Sequence, residues 1–329
     1  MLEKVYPPAR GDEALYSVPG MATLSRRQCI ACGAAVAASG VVAMIGRKQH
    51  AVSLEANAAP QREGVFVWTR ADADLVARAR ATQPLAAAVH VATVAHEGSG
   101  YAYRRALSPL VGGQQAPITL VVRFDDSVHS AWGESPVRKQ TVESIAASLA
   151  VPLDRIVRES RATGAKFDEI LLDYDAPMRA LSAWAAVVGL LSRGVLAGMG
   201  TWVTSLPAHL DDAAYGELFA SSVAGHVIQL FDTGLACTPE AATRLSTNLE
   251  RHRIPFRVAV SGFERARAEP FTSVCWQMVA RGWSALPRYA GFWIFPAGHD
   301  VASSLRRMTQ RADGELAVAP AAAAHGAEP

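Results

Sequence analysis

From about residue 65 onward the chain alternates between two patterns. Short runs of β-branched and other apolar residues read as strands, and longer stretches with apolar positions every three or four residues read as helices. The predicted strands are Val65–Arg70, Ala87–Val94, Ile118–Asp125, Glu169–Asp175, Thr201–Leu206, His226–Phe231, Arg257–Phe263 and Gly291–Pro296. Helical periodicity falls at Ala71–Ala81, Val142–Ala150, Leu153–Thr163, Met178–Ser192, Ala213–Ala224, Pro239–His252, Phe271–Gly282 and Val301–Gln310. Between the second and third strands, Tyr101–Gln115 is glycine-rich and carries no helical period. Strands that are apolar on both faces are buried on both, which implies parallel pairing beneath a layer of helices. Eight such units in about 240 residues predict an α/β fold, a closed (β/α)8 TIM barrel forming one domain. An open nucleotide-binding sheet needs a glycine-rich turn after its first strand, and Trp68-Thr-Arg-Ala-Asp72 is no such turn. There is also no phosphate loop, serine elbow or zinc-protease helix motif, and no cofactor is expected.

The two ends of the chain break this rhythm. Residues 1–58 read as an N-terminal extension with an export segment: Ser25-Arg26-Arg27-Gln28-Cys29-Ile30 precedes a weakly apolar run to Ile45. Twin arginines before such a run fit a twin-arginine signal, with Met21 a second candidate start and Ala56-Asn57-Ala58 a cleavage site. The position after Gln28 departs from the usual Phe-Leu, so a general secretory signal and an uncleaved anchor through residues 29–45 stay open as alternatives. About 17 apolar residues barely span a bilayer, so any such membrane anchoring is weak. The expected location is periplasmic or secreted, with membrane-anchored as the alternative. The barrel then spans 59–313, and 314–329 is a low-complexity tail predicted to be disordered.

Composition narrows the partners. Half the residues are hydrophobic, which supplies a large core, and the net charge is only +2 with no dense basic patch, which argues against nucleic acid. Beyond the export segment only Cys237 and Cys275 remain; in an oxidising compartment they either pair or stay buried and reduced. No Cys/His spacing suits a structural zinc, and no metal site is expected.

Candidate chemistry collects at the predicted carboxyl ends of the strands, where barrels of this kind keep their sites. The strongest signal is Phe167-Asp-Glu-Ile-Leu-Leu-Asp-Tyr-Asp175, an apolar strand ending in two carboxylates. At a rise of about 3.3 Å per residue, Asp173 and Asp175 would share one face about 7 Å apart. They are the candidate catalytic pair, because paired carboxylates perform glycoside hydrolysis. A carboxylate inside an apolar strand must find a partner or shift its pKa, which singles out Asp173. Asp175, before Ala176-Pro177, fits a helix cap equally well. The candidate substrate-binding residues are Trp68, Arg123, Asp125, Thr204, Gln229 and Trp293, with Arg70, His96, Glu97, Asp232 and Phe295 at neighbouring strand ends. Arg123 is also the obvious counter-ion of Asp173, and Asp232 before Thr233-Gly234 suits a turn. Aromatics that stack on a pyranose, with carboxylates and amides for its hydroxyls, point to a carbohydrate or glycan partner.

Two resemblances follow from these residues. Val67-Trp68, Val122-Arg123, Leu172-Asp173-Tyr174-Asp175 and Thr204-Ser-Leu-Pro-Ala-His-Leu210 resemble a bacterial family of exported proteins, the domain of unknown function 3142. That resemblance implies a glycosidase-like barrel over nearly all of the mature chain and leaves its activity open. The segment 167–175 also looks like the fourth strand of chitinase-type barrels, Phe-Asp-Gly-(apolar)-Asp-(apolar)-Asp-(aromatic)-Glu. There the last Glu is the general acid and the Asp two before it orients the substrate; here those positions are Asp175 and Asp173, while Leu171 replaces the first Asp. Asp for Glu shortens the acid by one methylene. The combined expectation is an exported glycosidase-like barrel acting on a glycan, with a non-catalytic carbohydrate-binding or scaffold barrel as the rival. Metal-assisted hydrolysis through Asp173, Asp175 and His96 offers a poor ligand set.

Overall fold

A computed structural model of the chain describes residues 63–81, 85–98, 100–109, 118–128, 141–262 and 272–296. The expected export segment at 1–58, the last helix at 301–310 and the tail at 314–329 lie outside them. The wall consists of eight parallel strands: β1 (Gly64–Val67), β2 (Ala86–Glu97), β4 (Ile118–Phe124), β5 (Phe167–Asp173), β6 (Gly200–Ser205), β7 (Gly225–Gln229), β8 (Phe256–Ser261) and β9 (Tyr289–Phe295). They pair in that order, and β1 closes the ring by pairing with both β9 and β2. The fold is a (β/α)8 TIM barrel. Helices cover its outer face: α1 (Arg70–Arg80), α2 (Val142–Ala162), α3 (Leu181–Arg193), α4 (Pro207–Asp211), α5 (Tyr215–Phe219), α6 (Pro239–His252) and α7 (Thr272–Gly282). No helix among the described residues is long and apolar enough to cross a membrane.

All eight expected strands form, and the differences are local. The stretch that lacked helical period opens with β3 (Gly100–Arg105), which folds back antiparallel on the second half of β2 around Gly98, whose φ of 62° suits glycine, and its residues 110–115 lie outside the described ones. The two helical patterns at 142–163 are one helix of 21 residues with Pro152 inside it. Pro in a helix interior costs about 3 kcal/mol. Here the stripe Leu149, Leu153 and Ile156, at most 3% exposed, outweighs it. Of the expected helix Ala213–Ala224 only the short α5 forms; an unexpected short helix, α4, precedes it, and the two are separated where Asp212 is extended and its carboxylate accepts from Ala214 N at 2.9 Å. Strand β1 stops before Arg70: Thr69 caps α1 and the Asp72 carboxylate returns to Thr69 N at 3.0 Å, so Arg70 opens the helix and faces solvent.

Successive strand residues alternate between two packed regions. The outer one lies between strands and helices and includes Val65, Val89, Leu120, Leu172, Val203, Ile228, Val258 and Ile294. The inner one fills the barrel, with Phe66, Ala88, Val121, Leu171, Trp202, Val227, Ala259 and Trp293. Two indoles and a phenyl ring fit inside because their neighbours are alanines and glycines. At Gly225 an added Cβ would lie 2.3 Å from the Trp202 ring. Below this layer Arg257 forms a doubly bonded ion pair with Glu169, each contact 2.8 Å, and Thr119 donates to the same carboxylate at 2.8 Å. The Arg257 guanidinium lies 3.7 Å from the Trp202 ring centre. On the outside, Cys237 and Cys275 are disulfide-bonded with Cα atoms 6.1 Å apart, which joins the loop after β7 to α7.

Candidate active site

The side chains above the inner core form the carboxyl-terminal mouth of the barrel. Three strands and the turn after β5 bring the polar ones together. On β4 and β5, Arg123 and Asp173 are register partners, so their side chains leave the wall beside each other. From β6, Thr204 Oγ1 donates to Asp173 Oδ1 at 2.7 Å. Strand β5 ends at Asp173, two residues earlier than expected, and Asp175 sits in the turn that follows: Ala176 N donates to Tyr174 O at 2.8 Å across it. Both flanking side chains enter the apolar packing between strands and helices. Tyr174 is 1% exposed against Phe124 and Trp184, and Ala176 is 1% exposed, so Asp175 alone is presented to solvent.

The electrostatics separate the carboxylates. Burial pushes Asp173 upward, opposed by the Thr204 hydrogen bond and by the Arg123 charge. Asp175 is pushed up to about 6, first by partial burial in the mouth and then by the charge of Asp173, while Arg123 acts against this and Asp126 adds to it. Its outer side is open to water. Asp125 moves the other way: it accepts from Ser127 N at 3.0 Å, and this bond holds its pKa low. Its carboxylate closes a turn, which occupies one oxygen of the group expected to hold a substrate hydroxyl.

Aromatic rings line the opposite side of the mouth. Phe231 stacks on Phe295 at 4.9 Å, Phe295 meets Trp68 edge-on at 5.5 Å, and Trp68 lies 4.2 Å from the His90 ring. Arg123 sits 6.0 Å from the Trp68 ring centre and links the arc to the carboxylates. Trp68 is half-buried, and its indole N–H has no acceptor among the described residues. Trp293 corrects the expectation: it is 2% exposed, packs 5.5 Å from Phe66 inside the barrel, and is no stacking surface for a ligand. Phe295, two residues further along the same strand face, occupies that level instead.

Gln229 reaches the rim half-buried, with its amide donating to Phe231 O at 3.2 Å. His96 lies beyond the wall in the β2–β3 hairpin, edge-on to Tyr101 at 5.2 Å, and Glu97 is exposed beside it. Asp232 has φ of 58°, as a turn residue would. Among the described residues no group of three His, Cys, Asp or Glu side chains is placed to hold a metal ion.

Two mouth residues escaped the sequence. His90 faces the barrel in the same alternation as Ala86 and Ala88, and an irregularity just after it, between His90 and Ala92 in the β2–β4 pairing, brings Thr93 opposite Arg123. Its Nε2 lies 3.0 Å from Thr93 Oγ1, and burial, followed by the Arg123 charge, pushes it down to about 4, so the ring is neutral at pH 7. His209, buried beside the Asp175 turn, is the other.

No protein-family model matches the chain, that of the domain of unknown function 3142 included, and no curated protein matches it. Solved structures with the same barrel do. A family 18 chitinase from Crocus vernus is 11% identical, with 75% of this chain and 97% of that one covered and a TM-score of 0.47. The spore cortex-lytic enzyme SleL of Bacillus megaterium is 9% identical over 73% of this chain and 71% of its own, with a TM-score of 0.49. A xylanase and alpha-amylase inhibitor protein from Scadoxus multiflorus is 12% identical over 76% and 98%, also with a TM-score of 0.49.

Proposed function

We propose that this protein is a glycosidase-like barrel that cleaves a glycan, with Asp175 as the general acid and Asp173 as the residue that orients the substrate. The observation that carries this is the unequal carboxylate pair at the mouth. Asp175 is open to solvent with its pKa pushed up to about 6, and Asp173 is held beneath it by Thr204. An acid must hold its proton near working pH and lie where a leaving oxygen can reach it, and Asp175 meets both needs. Asp173 keeps the neighbouring charge that raises it. Trp68, Phe231 and Phe295 offer ring faces to a pyranose, and Arg123 and Gln229 offer donors to its hydroxyls. Export fits the same reading: the twin arginines at 26–27 and the Cys237–Cys275 disulfide both suit an oxidising compartment. We also place the chain near the domain of unknown function 3142 on the residues quoted above.

A second reading keeps the barrel as a glycan-binding protein without turnover. It is favoured by Asp175 standing where the chitinase pattern has Glu, since a displacement of about 1 Å can cost about 100-fold in rate. The test is binding and turnover of the mature protein on a panel of envelope and exopolysaccharide glycans, with Asp173→Asn and Asp175→Asn in parallel. Cleavage that both variants lose supports the enzyme. Binding without cleavage, weakened by Trp68→Ala and indifferent to Asp175→Ala, supports the binding protein and sinks the hydrolase. Cleavage undiminished in Asp175→Asn removes that residue from the acid role.

A further inference from the structure

The segment Thr204–His209 leaves β6, enters α4 and reaches back to the neighbouring β5 at two points. The first is the Thr204 bond to Asp173. The second comes from His209, a fully buried ring at 2% exposed. Its Nδ1 lies 3.1 Å from Leu206 N and its Nε2 lies 2.8 Å from Ala176 O. A backbone N–H only donates, so Nδ1 must accept, and Nε2 then carries the proton it gives to the carbonyl. The neutral imidazole is satisfied at both nitrogens, and burial holds its pKa below the usual value, so it stays neutral. The Tyr215 ring stacks behind it at 6.2 Å. Ala176 is the residue after Asp175, and its own N–H closes the turn onto Tyr174 O.

We infer that His209 is a positioning residue for Asp175: by pinning the Ala176 carbonyl it fixes the turn that presents the carboxyl at the mouth. The inference rests on the proposed role of Asp175 for its importance to turnover, but the clamp itself does not depend on any activity. The β6–α4 segment thereby sets both carboxylates, Asp173 through a hydroxyl and Asp175 through the backbone behind it. His209 touches no substrate in this arrangement and exchanges no proton.

Two substitutions divide its contacts. His209→Gln keeps a donor at the reach of Nε2 and loses the acceptor for Leu206 N. His209→Asn keeps the acceptor near Leu206 N and falls short of Ala176. The experiment is a carboxyl-carbon NMR titration of Asp175 in the folded wild-type protein and both variants, with thermal melting as the measure of stability. In His209→Asn the released turn gains water, and the Asp175 midpoint falls by about one pH unit toward the ordinary carboxylate range. In His209→Gln it stays within a few tenths of the wild type, whichever variant melts lower. An unchanged midpoint in His209→Asn, or equal shifts in the two variants, overturns the inference. If a cleaved glycan is found, His209→Asn lowers kcat with KM little changed, and His209→Gln restores it. If nothing is cleaved by any of the proteins, the proposed function fails while the titration still decides the clamp.

Discussion

Strand β5 carries two inward acids four residues apart, Glu169 near one end of the barrel and Asp173 at the other, and the protein treats them in opposite ways. Glu169 accepts two bonds from Arg257 and one from Thr119, all 2.8 Å, and is sealed beneath the Trp202 layer. Asp173 has one neutral donor, Thr204, a cation to one side, and a second carboxylate two residues on. A buried charge with both oxygens bonded, one pair of bonds coming from a cation, is a structural element, whereas an under-answered one keeps a raised pKa and is available for chemistry. The difference shows that an acid inside an apolar strand signals burial, and that its partners decide how fully its charge is answered.

The largest test of that contrast is at the sealed end. Arg257→Ala leaves Glu169 buried without its cation and opens space under Trp202, so urea denaturation should show a loss of about 4 kcal/mol or more. Replacing both members with apolar residues of similar volume should recover most of it. A loss under about 1 kcal/mol for Arg257→Ala would mean that the sealed end is not what anchors the wall. Next in size is the pair Cys237→Ser and Cys275→Ser. The bridge spans 38 residues, and chain-entropy reasoning gives a loss of about 3–4 kcal/mol by the same measurement.

At the open end the effects are on rate before stability. If the proposed function holds, Asp175→Asn should cut cleavage by at least about 100-fold. Wild-type activity should fall as pH rises through about 6, where Asp175 loses its proton. A profile flat through that range would assign the acid elsewhere. The smallest effect is on folding. The folded pKa of Asp175 lies above its unfolded value of about 4, so the folded state binds the extra proton between the two. Stability through this group is therefore highest below about pH 4, declines as pH rises, and has lost its full share above about 6. Because Asp175 is exposed on one side, that share is about 1 kcal/mol or less. Melting curves of wild type and Asp175→Asn should converge at low pH and separate in favour of Asn at neutral pH.

Much of this architecture is legible in the chain. The eight apolar runs became the eight wall strands, and α6 spans Pro239–His252 as its period indicated, between the Thr238 cap and Arg253 in a left-handed conformation. Asp173 and Arg123 could be named because charged residues break apolar strands. What could not be read is the level of each residue inside the barrel. Trp293 and Phe295 share one strand face, and only the stagger of β9 against β1 and β8 decides which reaches the mouth. Pairing partners were equally hidden, since Glu169 and Arg257 lie 88 residues apart. The irregularity at His90–Ala92 reversed an alternation that sequence spacing takes as constant, and the bond from His209 to the Ala176 carbonyl joins a side chain to a backbone group 33 residues away, which no spacing marks.

The Cys237–Cys275 bond also changes the topology of the molecule. It closes a covalent ring that contains the whole of α6 and β8. A protease that cuts once inside this ring does not release a fragment: β9, which completes the barrel against β1, remains tied to the wall through sulfur. Such a nicked protein would migrate as two pieces on a gel only after reduction.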